Sequence, residues 1–393
     1  RYPRSASMAL AGDQPSSIAY QLDGYEVICP LATGGMAELY LARTREAVPQ
    51  LAVIKVLPEA FSKDADRLDM FADEMRIGRL LRHPNIVRLV DGAFVASDPY
   101  MVLEYVDGPS FRDLADVGRE RGAPLDALLA VSLAIGICDG LQYAHLAPGP
   151  QGGLLGLVHR DISPRNLMVD RTGVPKLLDF GIARAEGRRH QTEGRRVKGK
   201  IAYAAPEYIM GSTPDRRADV FAFGVVLWEL ITNRRLFHSA TIADTVVGVL
   251  KGEIAMPSAF NDEIPPELDE AVGHALRREV DQRWSSASAM RDALYEAAHC
   301  LGGVLSPAEV GEQLAASYPE LMSRKRELRP SMSAAELSSK AVVVRKSIDG
   351  PAAWIRRVAS DTAIEIEVDV AELEKSATDA VSRVDIPAWL LED

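Results

Sequence analysis

Between residues 24 and 105 the chain reads in short β-prone runs, and after Asp107-Gly108-Pro109 it turns to helical periodicity and keeps it. That change of period constrains the fold more than any other feature. Runs over 25–30, 38–43 and 51–57, separated by glycine-rich or polar turns, have the pattern of a meandering antiparallel sheet. A helix is predicted over 66–81 and two further strands over 87–95 and 100–105. Beyond them come a long apolar helix over 125–145 and others over 219–232, 242–251, 266–276 and 287–298. A small β-rich unit followed by a larger helical one is an α+β, two-lobed arrangement with its hinge near 104–108. The cleft between such lobes is where a ligand binds.

The folded part is expected over 24–300, with a small lobe over 24–104 and a large one over 109–300. Residues 1–23 are polar and small and read as a flexible lead-in; the chain opens on Arg1, with Met8 as an alternative start and no apolar core of a signal peptide. After residue 300, Ser306-Pro307-Ala308-Glu309 is a capping box with proline at the first helical position, so 301–329 reads as a helical extension. Ser317-Tyr318-Pro319-Glu320 repeats the signal. Residues 330–393 shift to Ser, Ala and acidic side chains and read as a poorly ordered tail. Within it Ile364, Ile366, Val368 and Val370 alternate with acidic residues, a strand pattern that needs a partner sheet, so the solvated reading is preferred. The apolar stretch 386–391 offers a docking segment.

With 393 residues, 47% of them hydrophobic, the chain can bury a large core. Its net charge of -11 argues against a nucleic-acid partner, because affinity for phosphate backbones comes from clustered Lys and Arg. Cys29, Cys138 and Cys300 are widely spaced and odd in number, fitting neither a disulfide framework nor a metal site, so a reducing cytoplasm is expected. The most apolar window, 127–138, is too short for a bilayer and reads as a buried helix, so no membrane association is expected.

The chemistry sits in three segments in fixed order: His159-Arg160-Asp161-Ile162-Ser163-Pro164-Arg165-Asn166, then Asp179-Phe180-Gly181, then Ala205-Pro206-Glu207. Phosphoryl transfer asks a protein for positioning and charge neutralisation, which means a base, metal ligands and a lysine clamp on the nucleotide. Asp161 has the place of the base. Asn166 and Asp179 supply oxygen ligands of the kind Mg2+ prefers. Ala52-Val53-Ile54-Lys55 ends an alternating strand and puts Lys55 in the cleft, and Glu74 on the following helix is the carboxylate expected to hold it. Next comes His83-Pro84-Asn85-Ile86-Val87, a helix-to-strand turn.

With these motifs the chain resembles a bacterial, eukaryotic-like (Hanks-type) serine/threonine protein kinase from about residue 24 to 298. The resemblance implies ATP as donor, Mg2+ (with Mn2+ as an alternative), Ser or Thr hydroxyls of proteins as acceptors, and autophosphorylation in bacterial signalling. It implies an adenine pocket of Leu31, Leu39, Ala52, Leu103, Glu104, Val106 and Leu167, with Leu103 as gatekeeper and 104–106 as hinge. Gly34 and Gly35 stand for the phosphate-covering loop, although Ala32 and Ala37 replace its outer glycines. It also pairs Arg283 with Glu207, packs His159 on Phe180, and gives Arg160 a phosphorylated activation loop to bind. Thr192 is the one Ser or Thr between Gly181 and Tyr203 and becomes the candidate phosphosite, among Arg188, Arg189, Arg195 and Arg196.

Departures from the family pattern define the remaining expectations. Family members carry a lysine where this chain has Ser163, and a threonine where it has Lys200. The exchange is reciprocal, so Lys200 is expected to supply the charge that Ser163 lacks. The alternative is a nucleotide-binding pseudokinase acting as a regulatory scaffold. Gly78 follows Glu74 by one helical turn and weakens that helix by about 1 kcal/mol relative to alanine, with Ile77 and Leu81 expected to compensate. His145 and His159 read as structural, and 148–157 as a surface hairpin insertion.

Overall fold

A computed structural model describes residues 20–22, 24–33, 37–57, 61, 64–93, 99–149, 152–180 and 200–323, together with the backbone of 342–346 and 353–357. The first lobe is an antiparallel sheet with one helix. Its strands are β1 (Tyr20–Leu22), β2 (Tyr25–Thr33), β3 (Glu38–Thr44), β4 (Leu51–Val56), β5 (Leu89–Ala93) and β6 (Tyr100–Glu104), in the order β1-β2-β3-β4-β6-β5. Helix α1 (Ala65–Leu80) joins β4 to β5, and the Asp64 carboxylate caps it by accepting from the amides of Asp66 and Arg67. Its Phe71 and Met75 pack with Leu57 and Met101 against the sheet. Glu74, the residue before Met75, reaches Lys55 of β4 with its carboxylate.

The second lobe is helical. α2 (Phe111–Arg121) follows the hinge and was not foreseen as a separate element, although Ser110 and Asp113 form a capping box and Phe111, Leu114, Ala115 and Gly118 repeat on one buried face. α3 (Ala127–His145) is long and apolar enough to cross a membrane, yet most of it is buried inside the helical core. It continues past the apolar window at 127–138 because its C-terminal turns are also buried. β7 (Leu167–Val169) and β8 (Pro175–Leu177) form a short hairpin lying on α3. The approach is close: a Cβ on Gly140 would lie 2.8 Å from Leu177 Cδ1 and 2.9 Å from the Asn85 carbonyl oxygen. The remaining helices are α4 (Pro206–Ile209), α5 (Arg217–Thr232), α6 (Ile242–Lys251), α7 (Pro266–Ala275), α8 (Ala287–Cys300), α9 (Pro307–Ser317) and α10 (Pro319–Ser323).

The extension is anchored. Ser306 and Glu309 form the expected capping box at the start of α9. Arg121 holds Glu320 and the Ser317 carbonyl, and Arg171 bridges the Asp107 carboxylate and the Met322 carbonyl. Asp107 directly follows the hinge, so the end of the extension is tied to the hinge's exit. Gly173, at φ +86°, sits where a Cβ would lie 1.9 Å from the Pro307 carbonyl oxygen. Gly173→Ala should therefore cost about 2–4 kcal/mol, from left-handed strain and backbone overlap together. Thermal denaturation measures it, and faster proteolysis within 301–323 would show that the extension has come off its seat.

In the tail, β9 (Val342–Lys346) and β10 (Ala353–Arg357) pair as an antiparallel hairpin. The alternating segment 364–370 lies outside the described residues, as do Gly34, Gly35, Thr192 and the arginines around it. The insertion at 148–157 does turn back on itself: Pro148 bridges Leu154, and the Gly149 amide donates to the Gly153 carbonyl at 2.8 Å.

Candidate active site

Lys55 lies at the register position opposite Leu39 on β3 and Met101 on β6, and only 9% of it is exposed. Its Nζ donates to Glu74 Oε1 at 2.5 Å and to Asp179 Oδ1 at 3.2 Å. Burial works against the ammonium, but the carboxylates of Asp179 and Glu74 hold its pKa above the ordinary lysine value. Lys55 in turn pulls the Asp179 carboxyl below its usual range, while burial pushes Glu74 up. The three residues form a charged bridge from the sheet lobe, through α1, to the helical lobe.

Asp161 sits in a loop whose shape depends on one buried carboxylate. Asp219, near the start of α5, accepts from the amides of His159 at 2.7 Å and Arg160 at 2.9 Å, and from His145 Nε2 at 2.8 Å. Burial raises the cost of that charge, yet these donors, His145 first, keep the carboxyl below its ordinary pKa. Arg160 adopts φ 62°, a left-handed conformation uncommon for a non-glycine residue, and the Asp219 bond helps hold it there. Burial also keeps the His159 imidazole below its usual pKa, hence neutral. Its partners settle the tautomer: Nε2 donates to the Leu178 carbonyl at 2.9 Å and Nδ1 accepts from the Asp161 amide at 3.3 Å. The ring lies against Phe180 with centroids 4.5 Å apart, as expected.

Asn166 is positioned by the same loop. Its Nδ2 donates to the Asp161 carbonyl at 2.8 Å and to Asp161 Oδ2 at 3.0 Å, leaving Oδ1 for a cation. The Leu178 amide donates to the Asn166 carbonyl at 2.9 Å, so Asn166 and Asp179 flank the open end of the β7–β8 hairpin. Asp179 has φ 45°, a second left-handed residue at the site. One amide oxygen and one carboxylate are hard donors that suit Mg2+, which takes few protein ligands and completes its shell with phosphate oxygens and water. The donor set fits the ion.

Lys200 Nζ donates to Asp161 Oδ2 at 2.9 Å, and Ser163 lines the same cleft together with Arg160, Tyr203 and Pro214. The ammonium thus meets the carboxylate of Asp161. Arg165 is exposed. In the implied adenine pocket, Ala52 on β4 pairs with Glu104 on β6, and Leu39 on β3 with Ala32, next to Leu31. Leu103 is half-buried, and Val106 and Leu167 are buried. Glu104 is fixed by Lys176 at 2.6 Å, a partner that sequence reasoning did not find because it comes from β8. Gly78 is closed over by Leu89 of β5, whose Cβ would stand 3.3 Å from an added methyl. Leu89 on the facing strand fills the space beside Gly78, while Leu81 is buried and Ile77 packs against the main core.

The family model for the protein kinase domain matches residues 25–295. The chain belongs to the protein kinase family. This kinase is 38% identical over 274 residues to the tyrosine-protein kinase MasK of Myxococcus xanthus, covering 69% of this chain and 42% of that protein. It is 36% identical over 306 residues to the probable serine/threonine-protein kinase SCO3848 of Streptomyces coelicolor, covering 75% and 42%. Among solved structures, the PknI kinase domain of Mycobacterium tuberculosis superposes with a TM-score of 0.52 at 26% identity, covering 74% of this kinase and all of that chain. The kinase spans about two-fifths of the length of the curated relatives it matches. The family fold and the expected two lobes therefore agree.

Proposed function

We propose that this chain transfers the γ-phosphate of ATP to serine or threonine hydroxyls of proteins, its own included, as part of bacterial signalling. The observation that carries the reading is the Lys55 ammonium held between Glu74 and Asp179, which sets a nucleotide clamp facing Asp161 and Asn166. In the transfer, the bond from the γ-phosphorus to the β–γ bridging oxygen breaks and one to the acceptor oxygen forms. ADP leaves with the electron pair, and the hydroxyl proton goes to Asp161. Lys55 holds the donor phosphates, and Glu74 fixes the angle of Lys55. Asn166 and Asp179 would hold Mg2+, which supplies neutralisation of the phosphate oxygens when bound. The acceptor class rests on the names of relatives, which include serine/threonine kinases and one tyrosine kinase. Pro164 in the catalytic loop favours Ser and Thr. The scattered free thiols support a reducing, cytoplasmic setting, and the segment 386–391 is a candidate docking element for partners.

The test is incubation with Mg2+ and γ-labelled ATP followed by phosphoamino-acid analysis. Label on Ser or Thr, lost in Lys55→Met, is the expected result. No transfer by a chain that still binds nucleotide would leave the scaffold reading instead, and label confined to Tyr would move the acceptor class.

A further inference from the structure

We infer that Lys200 is the catalytic cation that contacts the transferring phosphate, having exchanged places with the hydroxyl residue that Ser163 now supplies. This rests on the kinase reading above. The geometry has three parts. First, the Lys200 ammonium reaches the transfer point: it lies 2.9 Å from Asp161 Oδ2, the oxygen that also binds Asn166 Nδ2. A phosphoryl group moving toward an acceptor hydroxyl at Asp161 is anionic. A cation is needed where the charge develops.

Second, Lys200 is rooted. Ile201, Ala202 and Tyr203 after it are all buried, the Tyr203 amide donates to the Lys200 carbonyl at 3.2 Å, and the Tyr203 hydroxyl donates to Glu229 at 2.8 Å. The backbone beneath the lysine is preorganised, while 40% of its side chain stays accessible to a ligand. Third, the opposite half of the exchange faces the same cleft. Ser163 lines it beside Lys200, on a loop tied down by the Arg112 amide donating to the Pro164 carbonyl at 2.8 Å. A lysine restored at Ser163 would therefore emerge into the space that Lys200 enters from the other wall. Independent decay of two sites gives no reason for the ammonium to land on the base.

The arrangement has a consequence for control. When base and cation share one loop they are assembled together, but here the cation rides on the segment that follows the DFG triplet. Its arrival at Asp161 depends on the seating of residues 200–205, where the Tyr203 hydroxyl donates to Glu229 of α5.

The experiment compares steady-state phosphorylation of a generic protein acceptor by the unmodified chain, Lys200→Thr, and the double variant Ser163→Lys/Lys200→Thr, which rebuilds the family arrangement. Lys200→Thr is expected to lower kcat by about a hundredfold, with KM for ATP changed less than about threefold, the signature of a group acting in the transition state. The double variant is expected to recover at least about tenfold of that loss. A Lys200→Thr chain with unchanged kcat overturns the inference, and so does a double variant no more active than the single one, since a merely structural lysine would not be replaced from the other wall. An unmodified chain that transfers no phosphate removes the kinase reading itself, which is a different result from either.

Discussion

Replacing Asp161 with asparagine is expected to lower kcat for phosphoryl transfer by a factor of about 10²–10⁴, the range general-base groups contribute. At 1.36 kcal/mol per decade, that is roughly 3–5 kcal/mol of barrier. The substitution is close to isosteric, and an amide oxygen can still accept from Asn166, which holds Asp161 Oδ2 at 3.0 Å. What disappears is the capacity to take the acceptor's proton, together with the charge that Lys200 meets. Because the Lys200 side chain is 40% exposed, breaking that pair should cost the fold little. In the proposed mechanism nucleotide affinity rests on Lys55, Glu74 and Asp179, so it should stay within about a factor of three. Stopped-time phosphorylation assays beside nucleotide titration separate the two quantities. An Asp161→Asn chain with undiminished kcat would show that Asp161 is not the base, and matching losses in kcat and nucleotide affinity would show that it acts through the clamp.

The site was readable in the sequence to the extent that its chemistry depends on residue type within short segments. Asp161, Asn166 and Asp179 lie in loops where spacing along the chain sets spacing in space, and the β7–β8 hairpin brings their two segments together. Glu74 was readable as a carboxylate on the helix that follows Lys55, and the structure brings it to that lysine. The supporting contacts were less visible because they join elements far apart in the chain. Asp219 opens the predicted helix 219–232, but its role as acceptor for the amides of His159 and Arg160 needs the packing of α5 under the catalytic loop. A carboxylate at the head of a largely apolar helix was the available signal, since a buried charge must be paired. Lys176 holding Glu104 and Leu89 covering Gly78 have no local signature at all. The seating of the extension is equally silent: Arg171 finds the carbonyl of Met322, and a backbone acceptor is the same in every residue type.

Replacing Arg283 with methionine is expected to lower unfolding free energy by about 3–5 kcal/mol, the cost of removing one partner from a buried ion pair. The Arg283 side chain is wholly buried and forks onto Glu207 with bonds of 2.8 and 2.6 Å to the two carboxylate oxygens. Its Nε donates to the Arg277 carbonyl at 2.6 Å, and its remaining hydrogens reach the carbonyls of Arg217 and Arg278. Methionine fills much of the volume but leaves Glu207, which is only 9% exposed, with no countercharge from this arginine. Against a total stability of about 5–15 kcal/mol the loss is large, and it should appear as a fall of roughly 6–15 °C in Tm. Replacing both residues, Glu207→Met with Arg283→Met, should recover part of it, because the desolvated charge is then gone as well. A single variant within about 1 kcal/mol of the parent by urea unfolding would mean that Glu207 finds water or another cation. The same substitution should also reduce activity beyond what unfolding explains. Glu207 lies in α4, directly after the turn that carries Lys200, so releasing α4 from α5 and the Arg277–Arg278 loop loosens the ground on which that ammonium reaches Asp161. Activity per folded molecule, measured well below the lowered Tm, should therefore fall with kcat rather than with KM for ATP.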